Sequence, residues 1–343
     1  MEPITHALTS VALSRALRKR LPRLGMAMLV TAGVAADLDF ASYFWGPLAF
    51  LRFHRAVLHS LPGSFLLCVG VAAGFYLFDQ VRRAGGEDAE SARLNFLAAF
   101  WVCAVGAGAH MILDVASGIG VRLLWPFRGG WTAWNLLTDF DVWILAVLAA
   151  GLLLPHLFRL IGDEIGERKR EKPGRLAAVT ALVVVVLYVG GRGILRSRVG
   201  GLMGSRDYHG EAAEKIGVFA TGSNPFLWRG LVSTATSIDE LNVSVMPGAS
   251  FDPDRAVSHY KPEASAAIGG AQTTDEGQLF LEYARFPLAS IEKNETGSAL
   301  TLRDVRFPAG DTSLDNIFLD VQLDGNARVV EESMRFAGAR RSR

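Results

Sequence analysis

Apolar residues gather in long runs through the first half of the chain, near residues 61–79, 94–116, 141–161 and 175–193, each long enough to cross a bilayer as a helix. Two shorter stretches precede them. Residues 3–17, PITHALTSVALSRAL, and residues 24–36 fall short of the roughly 20 residues of a straight crossing, and predict a tight helical hairpin buried against other helices. The basic turn RKRLPR, Arg18 to Arg23, joins them. After Arg196 the pattern alternates, in LNVSVMP (241–247), LFLEYARF (279–286), ALTLRDVRF (299–307) and NIFLDVQLD (316–324), with turn residues between the runs. Alternation of this kind predicts antiparallel β-structure. The fold class is therefore mainly α. A polytopic transmembrane helical domain of about six membrane helices, two of them short, occupies residues 1–195. A C-terminal antiparallel β domain covers 196–335, with Trp228, Tyr260 and Phe286 expected in its core, and 336–343 form a disordered basic tail.

Composition agrees with a membrane protein: half of the 343 residues are hydrophobic, and the mean hydropathy is +0.26. A net charge of +1, with no basic patch interleaved with aromatics, excludes nucleic acid as a partner. Cys68 and Cys103 both fall within apolar runs and read as small buried hydrophobes. The basic cluster follows the first apolar stretch instead of preceding it, which is not the pattern of a cleavable signal. Charge also orients the runs. The loops at 81–93 and 162–175 carry clustered Arg and Lys, as does the turn at 18–23, and the positive-inside rule places all three in the cytoplasm. Segments 40–60 and 117–140 and the β domain then lie outside, as expected for a multi-pass protein of a bacterial inner (plasma) membrane.

That orientation brings His6, Asp37, Asp39, His54, His59, His110 and Asp114 to one side of the membrane. His110 and Asp114 are four residues apart, so a helix puts both on one face, where they can grip one metal ion or simply hydrogen-bond to stabilise a helix pair. An imidazole and a carboxylate suit zinc, and an ionisable pair in a membrane-length segment marks a functional site by default. Asp37 and Asp39 can both face a cleft only where a helix ends. There one can ligate metal while the other bridges a second ion or takes a proton from water; alternatively they cap the next helix. His54 and His59 stand about 140° apart on a helix, and meet a common centre if His54 lies in the loop and His59 at the helix start. Arg55 suits a phosphate oxygen or an interfacial headgroup. Asp139 and Asp141 either add a carboxylate or cap the next span. His156 reads as structural, and His209 and His259 as surface residues.

Four ordered motifs together resemble the YdjM-like (DUF457) family of membrane-bound metal-dependent hydrolases: THAL at 5–8, D-x-D at 37–39, H-R-x-x-x-H-S at 54–60, and H-x-x-x-D-x-x-S-x-x-G-x-x-L-x-x-P-F from His110 to Phe127. The chain departs from that pattern at Ala36, Ala56, Leu58 and Ser117. The order of ligands is also similar to the zinc-dependent phospholipase C and S1/P1 nuclease group. The resemblance implies a divalent metal, zinc, held by His6, Asp37, Asp39, His54, His59, His110 and Asp114, with Asp39 and Arg55 catalytic. One or two ions are implied, because a second H-x-x-x-D or H-x-x-x-E is missing. It implies hydrolysis of a phosphoester in a lipid or lipid-linked substrate at the outer interface. The alternative is a non-catalytic membrane protein with a structural metal site and a partner-binding β domain.

Overall fold

A glutamate cap and a proline start the first helix. The Glu2 side chain accepts from Thr5 N at 2.8 Å and Pro3 occupies the first turn, where its missing N–H costs nothing, so α1 (Pro3–Leu17) begins early enough to include His6. The computed structural model describes residues 1–85, 93–165, 174–246, 252–294 and 297–339. The greater part of the basic loops at 81–93 and 162–175, and the last residues of the basic tail, lie outside the described residues. The chain divides into two compact units, the first comprising Met1–Asp39, Val57–Phe127 and Thr132–Gly193.

In the first unit α1 is followed by α2 (Gly25–Val34), which runs directly into a 3₁₀ segment, Ala35–Trp45. Three long helices carry most of the rest: α4 (Leu61–Ala84), α5 (Phe96–Ala116) and α6 (Val142–Ile165). A fourth, α7 (Arg175–Gly204), begins here, while the short α3 (Pro47–Phe53) belongs to the second unit. Among the described residues five stretches are long and apolar enough to cross a membrane: Gly25–Trp45, Leu61–Ala84, Phe96–Ala116, Val142–Leu160 and Arg175–Gly204. Three of the helices keep most of that apolar surface on the outside, as a lipid-facing helix does. Gly25–Trp45 and α5 are more buried, with Ala99, Cys103, Ala107, His110 and Asp114 of α5 all inside. Met28, Leu29 and Ala32 of α2 pack against it, and Cys68 and Ala72 of α4 complete the cluster, so both cysteines are buried and free as expected. Where α4 ends, Asp79 is buried and takes Arg23 at 2.9 Å, Arg83 at 2.8 Å and Leu94 N at 3.2 Å, which satisfies a charge too costly to bury alone.

The second unit comprises Phe40–Ala56, Arg128–Trp131 and Ile194–Arg343. Strands β1 (Lys215–Ala220), β2 (Leu227–Ser233), β3 (Ser237–Ser244) and β4 (Val257–Tyr260) form one antiparallel sheet in sequential order. After α8 (Ala266–Thr273) and α9 (Asp275–Tyr283), strands β5 (Pro287–Asn294), β6 (Gly297–Asp304), β7 (Ile317–Asp324) and β8 (Val329–Phe336) form a second. Phe219, Leu231 and Ile238 of the first sheet share a core with Phe286, Leu288 and Val305. Arg229 adds a polar tie, donating to the Val305 carbonyl at 2.9 Å and pairing with Glu240 at 2.7 Å. α3 packs on α9 and β8, with Phe50 edge-on to Phe336 at 5.7 Å. Nothing in the hydrophobic pattern marks this segment as part of the β unit.

Two sequence expectations change here. LFLEYARF, read as a strand from its alternation, is mostly α9. Thr274 caps it by accepting from Gly277 N at 3.0 Å, Asp275 and Glu276 sit in its first turn, and Phe280 and Tyr283 share one buried face. Tyr260 is 71 % exposed because it ends an edge strand, whereas Trp228, on the central β2, and Phe286 are buried as expected. Trp228→Ala is expected to destabilise this unit by about 3–5 kcal/mol, read from the unfolding midpoint of the full-length protein by near-UV circular dichroism. An unshifted midpoint would show that the residue is not packed as described.

Candidate metal centre

Small residues bring α2 and α5 together, and the site follows from that contact. A Cβ on Gly106 would lie 2.4 Å from the Leu29 carbonyl and 3.2 Å from Gly33 N, so that position tolerates no side chain, and one on Gly33 would lie 3.5 Å from the Gly106 carbonyl and 2.1 Å from Ser10 Oγ of α1. His110 is one helical turn beyond Gly106 and Asp114 one turn further, so both lie on this close-packed face. There the Gly33 carbonyl accepts from His110 Nδ1 at 2.9 Å, which leaves Nε2 as the ring's lone-pair nitrogen. Ser117 ends α5, its hydroxyl donating to the Asp114 carbonyl at 2.8 Å. Three residues on, Gly120 has φ +80° and passes so close to Thr132 that an added Cβ would lie 2.3 Å from the carbonyl. These contacts give the Ser117 and Gly120 positions of the motif a mechanical role: they turn the chain sharply just past the ligand pair.

The 3₁₀ segment separates the two aspartates. Asp37 Oδ1 lies 3.7 Å from His110 Nε2 and 3.9 Å from His59 Nε2. Asp39 instead reaches the far side of His59 and bonds its Nδ1 at 2.8 Å, so it fixes the ring with Nε2 turned inward. His59 directly precedes Ser60, the cap of α4, which accepts from Gly63 N at 3.0 Å. Asp114 is the hub. Its Oδ1 is 3.3 Å from His6 Nε2, and its Oδ2 is 3.1 Å from His59 Nε2 and 3.3 Å from His110 Nε2; the Met1 amino nitrogen also contacts Oδ1. His6 stacks on His110 with ring centroids 3.7 Å apart.

One ligand atom each from His6, Asp37, His110 and Asp114 lies within 4.8 Å of all the others. His59 Nε2, 2.9 Å from His110 Nε2, adds a fifth donor. Several of these separations match the spacing of about 3.3 Å between donors that each sit about 2.0–2.1 Å from a tetrahedral zinc. Part of the donor set is also unspent. Neither ring nitrogen of His6 nor Asp37 Oδ2 has a hydrogen-bond partner among the described residues, although all three atoms are buried. Orphaned buried imidazole and carboxylate atoms are costly without an ion to coordinate, so the residues fit a divalent metal. Burial opposes charge on His59, but hydrogen bonds to Asp114 and Asp39 outweigh it and push its pKa up to about 9.

The other candidate residues are placed elsewhere. His54 and Arg55 belong to the second unit, where the His54 ring stacks on Phe50 at 4.3 Å and Arg55 is buried at φ +55°. Asp141 caps α6, accepting from Trp143 N at 3.1 Å and Ile144 N at 3.2 Å, while Asp139 is partly exposed. His156 is exposed on α6, His209 is exposed, and His259 is partly buried beside Glu240 at 3.4 Å. Sequence reading missed the role of Gly33, whose carbonyl orients His110; its signal was a glycine inside an apolar run facing another such run. Asp39→Asn is expected to weaken zinc affinity 10–100-fold with all inward-facing donors retained, measured by chelator competition, and unchanged affinity would remove its positioning role.

No curated protein and no solved structure gives a significant match to the chain. The sequence model of the family described as YdjM inner membrane protein matches residues 1–199, the stretch that holds every residue of this centre, and the chain belongs to that family.

Proposed function

We propose that this protein is a membrane-embedded, metal-dependent hydrolase that cleaves a phosphoester in a lipid or lipid-linked substrate. The observation that carries the reading is the convergence of His6, Asp37, His59, His110 and Asp114, with buried donor atoms left unsatisfied. When bound there, a divalent ion supplies Lewis-acid chemistry, making water a competent nucleophile near neutral pH and stabilising charge on phosphoryl oxygens. The chain's own residues do the rest. Asp39 and the Gly33 carbonyl hold the two imidazoles in the ligating tautomer. Asp37, whose side chain is 17 % exposed against 1 % for Asp114, is the most accessible carboxylate of the cluster, and its buried, unpartnered Oδ2 is the atom left to accept a proton from water at the ion. The positive-inside count supports a site at the outer face, where a lipid can keep its chains in the bilayer while its headgroup reaches the cluster.

One observation favours the second reading, a structural metal site: His6, His59, His110 and Asp114 are each no more than 2 % exposed. The two readings separate on turnover. Purified protein reconstituted with zinc, given vesicles containing either a phosphomonoester or a phosphodiester lipid, is expected to release phosphate or a phosphorylated headgroup, and to stop when chelated. Stoichiometric metal with no release from either lipid class would favour the structural site.

A further inference from the structure

At the end of the first unit that carries the basic turn, a groove of about 290 Å³ opens between the α1–α2 turn and α5. Leu21, Leu29, Trp101, Val102 and Val105 line it, with Arg20 at its rim. Trp101 is 62 % exposed and Val105 43 %, so the groove faces outward from a helix long and apolar enough to cross a bilayer. It extends from Ala98 to Val105, about 10 Å along the helix axis, the depth of the upper part of a lipid chain. Arg20 at the groove and its chain neighbours Arg18 and Lys19 are exposed with no acidic partner among the described residues, whereas Arg23 in the same turn is committed to Asp79. A second helix is a poor occupant, since close helix approach in a membrane needs small residues and Trp101 stands at this face.

We propose that the groove is a binding site for an anionic phospholipid, one acyl chain lying along Trp101 and Val105 and the phosphate resting on Arg20 with Arg18 and Lys19. The site is independent of the metal centre and of the hydrolase reading. An apolar trough ending in unneutralised cations matches a molecule with a hydrocarbon tail and a negative head, and each cation near an anionic lipid surface contributes about a fivefold gain in affinity.

The test uses delipidated full-length protein in neutral detergent and native mass spectrometry with dioleoylphosphatidylglycerol, dioleoylphosphatidylcholine or inorganic phosphate. The expected result is retention of phosphatidylglycerol well above phosphatidylcholine, with no retained inorganic phosphate. Arg20→Gln should lower that preference about fivefold and the triple variant Arg18→Gln, Lys19→Gln, Arg20→Gln should abolish it, while Arg20→Lys retains it. Val105→Trp, which fills the groove, should weaken retention of phosphatidylglycerol with all three cations in place. Equal retention of the two lipids by the unaltered protein would overturn the proposal. So would a preference that survives the triple variant, binding of inorganic phosphate as tight as that of the lipid, or a stable dimer that Val105→Trp disrupts.

Discussion

Asp114→Ala is expected to strip divalent metal from the purified protein and, on the hydrolase reading proposed above, to end phosphoester hydrolysis, while the chain still inserts into the membrane. Asp114 touches three imidazoles, His6 at 3.3 Å, His59 at 3.1 Å and His110 at 3.3 Å, and its two oxygens face different partners. Removing it leaves the histidines without the carboxylate that offsets a divalent charge. Losing an outer partner of a ligand already costs 10–100-fold in metal affinity, so losing the hub is expected to cost more than about 100-fold. Elemental analysis and chelator competition read the metal, and phosphate release from vesicles reads the activity. Because Asp114 is a buried charge among buried groups, its removal also disturbs folding. His110→Ala removes a candidate ligand one turn earlier on α5 without removing a charge that the neighbours need, and is expected to show the same loss of metal. Full occupancy in both variants, with the protein folded, would mean that these residues do not hold the ion.

A joint loss of stability and of metal is expected from Gly106→Val, a residue that is not itself a candidate ligand. A Cβ there would lie 2.4 Å from the Leu29 carbonyl and 3.2 Å from Gly33 N, and both are helix backbone that cannot rotate away. The α2–α5 pair must then separate. Overpacking of a well-filled interior costs about 1–3 kcal/mol, and with backbone as the obstacle the upper end applies. The same movement carries the Gly33 carbonyl off His110 Nδ1, now 2.9 Å away, so metal affinity is expected to fall together with the melting temperature. Gly108→Ala is the control. It lies two residues further along the same helix with nothing within 4 Å of its added Cβ, and should be neutral or stabilising by about 0.5–1 kcal/mol. Thermal unfolding in detergent, with and without zinc, separates the two outcomes. A Gly106→Val protein that melts like the parent and holds its metal would show that the helix pair does not position the centre.

Much of this architecture is legible in the chain because a membrane makes strong demands on sequence. A spanning helix must satisfy its own backbone and present apolar side chains to lipid, so runs such as 61–79 and 175–193 announce themselves by length alone. His110 and Asp114 were likewise readable, since the four-residue period of one helix places them without help from any other element. The β domain was weaker. Strand alternation is a short signal, and in LFLEYARF it lost to a threonine cap and an acidic first turn. The assignment of Phe40–Ala56 to the β unit was not readable, because its aromatic residues look the same whether they face lipid, water or Phe336.

From the sequence alone came the membrane helices, the β domain and the set of imidazoles and carboxylates from which a metal centre can be built. Which of those groups share a centre was decided by tertiary contact. Asp37 faces the cluster and Asp39 faces the back of His59 because a 3₁₀ turn rotates successive side chains away from each other. His110 presents Nε2 because a carbonyl from residue 33 takes its other nitrogen. His54 packs on Phe50 in the second unit although it stands only five residues from His59. Periodicity fixes direction within one element, but ligand geometry is a relation between elements, and here it depends on how closely two glycines allow two helices to approach.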